Sequence, residues 1–250
     1  MCTFVILRRP GSDWPVLIAA NRDEMLGRPW LPPGRHWPDR PEVTAGKDEL
    51  AGGSWLGIND DGVAAGILNR FGSLGPAPGQ RSRGELVLEA LDHADAADAA
   101  KALAAIDPRA YRTFNLMIAD DTAAFWLRHA DESGNRPVSV TKLEPGLSMI
   151  AAGELDDATP RLTHYRPRFL EATIPDPAKH DWRGWERLLE DRGSAGAEPI
   201  AALNFATAEG FATVSGALIG LPSKQRGGIK PAFRFAGFRP QPTPWRDVLV

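Results

Sequence analysis

The chain carries a single cysteine, Cys2, directly after the initiator methionine. A small residue in second place lets that methionine be removed, leaving a thiol and a free α-amine on the same residue. The amine titrates at about 7.7–8.0 and can take the thiol proton. A thiol is also a good nucleophile unaided, with a few per cent thiolate at pH 7. Cys2 is therefore expected to become the mature N-terminal residue and to act as a nucleophile. The competing reading is plain packing, because unpaired cysteine is among the most buried residue types. Position alone favours packing; the neighbours shift the balance.

Those neighbours stand in Asn21-Arg22-Asp23-Glu24. If residues 2–9 pair with residues 15–22 as a hairpin, the end of the second strand lies beside the start of the first. Arg22 and Asp23 then fall within reach of Cys2. A guanidinium beside a thiol lowers its pKa, and a carboxylate holds the α-amine or the arginine in place. The blander reading is a surface ion-pair cluster, which is common and worth little. Glu24 fits it well, Arg22 and Asp23 less so. Asn69 closes a second hairpin as Asn21 closes the first. Its amide N–H groups suit a developing oxyanion, although turn chemistry before Gly72 explains it equally well.

Other chemistry finds less support. His36, His93, His129, His164 and His180 show no metal-binding spacing, and one cysteine cannot build a thiolate site, so no metal or other cofactor is expected. A Cys/His pair through His36 or His129 stays open. Gly52-Gly53 matches no phosphate-cradling loop. Trp30 and Trp37 sit in a Pro-rich stretch and are candidates to line an apolar pocket.

The elements that must position these residues read as follows. Cys2 to Arg8 and Pro15 to Ala20 form the first hairpin, with turn chemistry at Pro10-Gly11-Ser12-Asp13. Residues 28–41 are too rich in proline for regular structure. Trp55 to Asn59 and Val63 to Asn69 form a second hairpin about Asp60-Asp61-Gly62. Two helices are expected between Ser82 and Ala105, joined near Ala94-Asp95. Strands are expected at Phe114–Ala119, Ala123–Arg128, Val138–Leu143 and Leu147–Ala151. Helices follow at Pro160–Glu171, Trp182–Glu190 and Pro199–Leu203, then strands at Ala212–Leu221 and Ala232–Phe235. Strands, helices, then strands again fit an α+β or layered arrangement rather than repeated βα units. No repeat or boundary divides residues 1–250, so one domain is expected.

The 250 residues are 43% hydrophobic and 24% charged, ordinary for a globular protein. A net charge of -3 gives no general attraction to nucleic acid, and the local cluster Arg161, Arg166 and Arg168 is no basic run. The lone cysteine gives no reason to invoke an oxidising compartment. No apolar run spans a bilayer, and Arg8 and Arg9 follow rather than precede the first apolar stretch, against a secretory signal. A cytoplasmic protein is expected, with a small-molecule substrate or apolar ligand, no nucleic acid and no membrane span. The sequence leaves its oligomeric state open.

Several segments together resemble the NRDE family, also called the transport and Golgi organisation 2 family. They are Met1-Cys2-Thr3-Phe4, Ala20-Asn21-Arg22-Asp23-Glu24, Arg28-Pro29 and Ala45-Gly46-Lys47-Asp48 with Gly52-Gly53-Ser54-Trp55-Leu56-Gly57. Asn69, Phe114-Asn115-Leu116 and Thr213-Val214-Ser215 continue the match, so it runs through essentially the whole chain. The resemblance implies an α+β, four-layer αββα sandwich of the N-terminal nucleophile (Ntn) hydrolase type, cleaving non-peptide C–N amide bonds. Penicillin V acylases and bile-salt hydrolases are the characterised relatives that it implies. In them an N-terminal cysteine, an arginine, an aspartate and an asparagine do the work, at places comparable to Cys2, Arg22, Asp23 and Asn69. Two further elements of that site are absent here. An asparagine is replaced by Ile150-Ala151-Ala152-Gly153, and a second arginine does not stand in Thr213-Val214-Ser215-Gly216. These departures support an alternative: a carrier for an apolar, haem-like or acyl ligand that kept the fold and lost the reaction.

Overall fold

The computed structural model describes residues 2–193 and 201–250. Strands β1 (Thr3–Arg8) and β2 (Val16–Met25) open the chain, followed by β3 (Trp30–Gly34), β4 (Val43–Asp48), β5 (Leu56–Asn59) and β6 (Ala64–Asn69). Helices α1 (Gly84–Leu91) and α2 (Ala96–Ala104) come next. Strands β7 (Phe114–Ala119), β8 (Ala124–His129), β9 (Ser139–Lys142) and β10 (Gly146–Ile150) lead to helices α3 (Pro160–Glu171) and α4 (Arg183–Glu190). Strands β11 (Phe211–Leu221), β12 (Ala232–Gly237) and β13 (Arg246–Asp247) end it.

Two compact units result. The first combines Met1–Arg28 with Pro145–Leu249, and the second is essentially Pro29–Glu144. The first holds an antiparallel sheet in the order β10-β1-β2-β11-β12-β13. Helices α3 and α4 pack on it through β10, β2 and β11. Its core draws on Val5, Leu17, Met149, Tyr165, Trp185 and Leu218. The second holds the sheet β3-β4-β5-β6-β7-β8-β9, with α1 and α2 packed on it. Asp95 caps α2 by accepting from the Asp98 N–H, and Ala96, Ala99, Ala100 and Leu103 supply its buried stripe at helical spacing.

The expected first hairpin forms with Thr3 opposite Asn21 and Arg8 opposite Val16. The Pro-rich stretch corrects one expectation, since Trp30–Gly34 is a strand. It lies at the sheet edge and its register shifts between Leu31 and Gly34, where Pro32 and Pro33 need donate nothing to a ladder. Trp37 is a core residue whose indole donates to the Gly52 carbonyl, and Trp30 packs edge-on against Trp55. The start of the helix expected from Pro199 lies outside the described residues, and Ala202 to Asn204 form a bend.

The glycine-rich block reads physically as packing. A Cβ on Gly46 would stand 2.3 Å from the Trp55 ring, and one on Gly53 would stand 2.4 Å from the Gly84 backbone where α1 begins. That motif therefore holds indole to strand and loop to helix.

Candidate functional site

The first unit gathers Cys2, Arg22 and Asp23 where the hairpin register predicts. Cys2 lies one residue before β1, on the side of β2. Its Sγ accepts from the Asp23 backbone N–H at 3.3 Å and lies 3.6 Å from the Asp23 carbonyl oxygen. Arg22 and Asp23 are both buried in the last turns of β2. Across from them β11 carries a bulge: Thr213 faces Asp23 and Ser215 faces Arg22, with Val214 displaced from the ladder. Bulges re-aim side chains and are frequent beside sites. Here the displaced Val214 carbonyl accepts the N–H groups of Phe238 and Arg239.

Arg22 reaches Glu24 at 3.5 Å, and Arg28 approaches the same carboxylate at 3.7 Å. Asn21 serves the scaffold. Its buried amide donates to the carbonyls of Leu189 and Leu203, fastening the end of α4 and the 201–204 segment to β2.

The sequence reading overlooked Arg161. This residue sits in the first turn of α3, and its Nη1 donates to Asp23 Oδ2 at 3.0 Å and to Thr3 Oγ1 at 2.9 Å. Its guanidinium stands 5.3 Å from the centre of the Phe205 ring. Both partners of the ion pair are buried, with side-chain exposures of 3% and 0%. A signal was present in the sequence. Arg161, Tyr165 and Phe169 recur at four-residue spacing, so an arginine occupies the core stripe of a helix.

Arg239 was overlooked as well. It follows β12, and its Nη1 donates to the Asn204 side chain and to the Thr213 carbonyl, beside Asp23. Burial, then the nearby Arg192 charge, lowers the pKa of its guanidinium, while Asp23 acts in the opposite sense. No arginine stands in the β11 strand itself. Arg161 reaches Asp23 from a helix instead, and Arg239 reaches the neighbouring Thr213 carbonyl from a loop; both are distant in sequence, so strand-by-strand reading misses them.

Burial pushes the Cys2 thiol up, and the Asp23 carboxylate adds to this. The positive chain terminus, the Asp23 backbone and Arg22 pull the other way without overcoming it. A backbone donor, the Asp23 N–H, is aimed at its sulfur.

Asn69 belongs to the second unit, where it ends β6 half-buried and opposite Phe114. His36 bonds to the Pro32 carbonyl, and His129 is buried against Phe114, where burial lowers its pKa. No helix among the described residues is long and apolar enough to cross a membrane.

A family model described as Transport and Golgi organisation 2 matches residues 1–190. No curated protein matches the chain. Among solved structures the fold is similar to the Caenorhabditis elegans ortholog of N-acylethanolamine-hydrolyzing acid amidase. The TM-score is 0.57 at 10% identity, over 90% of this chain and 96% of that one. It is also similar to penicillin V acylase from Agrobacterium tumefaciens (TM-score 0.51, 14% identity, 99% and 86% covered). A mutant of conjugated bile acid hydrolase from Clostridium perfringens gives 0.53 at 11% identity, with 99% and 92% covered. These likenesses concern the fold alone, a mixed α/β fold with two antiparallel sheets and few helices.

Proposed function

The chain belongs to the Transport and Golgi organisation 2 family, and from that premise we propose that it is an N-terminal-cysteine hydrolase acting on a non-peptide C–N amide bond of a small molecule. The observation that carries the reading is the position of Cys2, whose sulfur lies 3.3 Å from the Asp23 N–H beside two buried arginines. On this reading, removal of Met1 frees the Cys2 α-amine, which takes the thiol proton as the sulfur attacks the amide carbonyl. A covalent thioester forms and the amine leaves with that proton; water then releases the acid and restores the thiol. Arg22 and Asp23 hold the nucleophile and its amine.

The test compares tag-free protein, an N-terminally extended form and Cys2→Ala on a panel of small N-acyl amides. The reading predicts hydrolysis by the first alone, with losses of about a thousandfold or more in the others. Equal rates in all three would refute it. One observation favours a second reading, a carrier for an apolar ligand: no asparagine stands in Ile150-Ala151-Ala152-Gly153 and no arginine in Thr213-Val214-Ser215-Gly216. Unreactive Cys2 together with tight binding of an acyl or haem-like ligand would support the carrier.

A further inference from the structure

We propose that Arg161 is the positioning residue of the Cys2 nucleophile, clamping the two strands on either side of it and compensating Asp23 so that the thiolate can form. The inference rests on the reading of Cys2 as a nucleophile.

One nitrogen, Arg161 Nη1, donates both to Thr3 Oγ1 and to Asp23 Oδ2. Thr3 is the residue after Cys2, and the N–H of Asp23 donates to Cys2 Sγ. A single guanidinium therefore grips the strand that carries the sulfur and the strand that supplies its donor. Removing it takes one side-chain partner from each. Helix docking does not require this arrangement, because Leu162, Tyr165 and Phe169 already bury the face of α3. Desolvating two charges is costly, and apolar replacements of such pairs are often as stable. An ion pair kept fully buried beside the only cysteine is better explained by what it does to that cysteine.

The electrostatic consequence has a definite sign. Asp23 disfavours the thiolate, so a cation 3.0 Å from its carboxylate offsets that effect. Without Arg161 the thiol should titrate at higher pH. A role limited to holding the structure predicts the reverse, because loosened strands would admit water and return the thiol toward its ordinary value.

The experiment measures the rate of iodoacetamide alkylation of Cys2 against pH, by intact mass, on the full-length chain. Arg161→Gln should raise the midpoint by about one pH unit or more and slow alkylation at pH 7 about tenfold. Arg161→Lys, which keeps the charge, should return most of the shift. In an Asp23→Asn background, adding Arg161→Gln should leave the midpoint within about a few tenths of a unit, since the effect runs through Asp23. That neutral double variant also carries the test should Arg161→Gln alone not fold. An unchanged or lowered midpoint in Arg161→Gln, or a full shift persisting without Asp23, would overturn the proposal. Turnover plays no part in the measurement, so a chain that cleaves no amide can still pass it. A working hydrolase can equally fail it.

Discussion

At the residue scale the account turns on which groups share the space around one sulfur. Asp23 is sealed from water with Arg161 as a partner, so either charge alone is costly. Asp23→Ala should cost about 3–5 kcal/mol in urea unfolding, most of it the penalty of stranding Arg161. An Asp23→Asn/Arg161→Gln pair should recover much of that loss. For turnover, the Cys2 α-amine must be neutral to accept the thiol proton. Activity should therefore rise with pH through about 7.7–8.0 and be lost below it. Arg22, Asp23 and Cys2 were legible as neighbours in the sequence because one hairpin register joins them. Arg161 and Arg239 were not, because each arrives through tertiary contacts from positions 159 and 237 residues beyond Cys2. The core-face position of Arg161 in its helix was the one clue.

At the scale of elements, buried side chains tie termini together. Asp120 accepts the Ala96 N–H at the start of α2 and those of Thr122 and Ala123 in its own turn. Burial alone would raise this carboxyl, but the Ala96 donor and the turn donors hold it below the usual range. A depressed folded-state value means its contribution is present above the unfolded pKa near 3.9 and disappears as pH falls through the folded value. Asp120→Asn should thus cost about 1–3 kcal/mol at pH 7, and the gap to wild type should close as pH falls below the ordinary carboxylate range in urea titrations. Asn21→Ala removes two buried donors and should cost about 2 kcal/mol, with faster amide exchange at the end of α4. Most elements could be read from periodicity and turn chemistry: β7 and α3 fall on the expected residues. Periodicity gave no sign of β3, because proline content argues against a strand unless edge position is known.

At the scale of the molecule, the first unit is discontinuous, and β2 and β11 pair across nearly the whole sequence. The family match stops at residue 190, yet β11 carries the bulge opposite Arg22 and Asp23. A chain ending at Arg192 would lose that strand and the Thr213 and Arg239 contacts, and should show no cooperative unfolding by circular dichroism. Such a pairing is invisible to local pattern reading. The central claim, that Cys2 is a processed N-terminal nucleophile, is tested most directly by intact mass of the native, tag-free protein before and after incubation with phenoxymethylpenicillin. The account predicts a chain lighter by one methionine that gains a single acyl adduct on Cys2, absent in Cys2→Ala. Retained Met1, or a processed chain whose Cys2 takes no adduct, would contradict it.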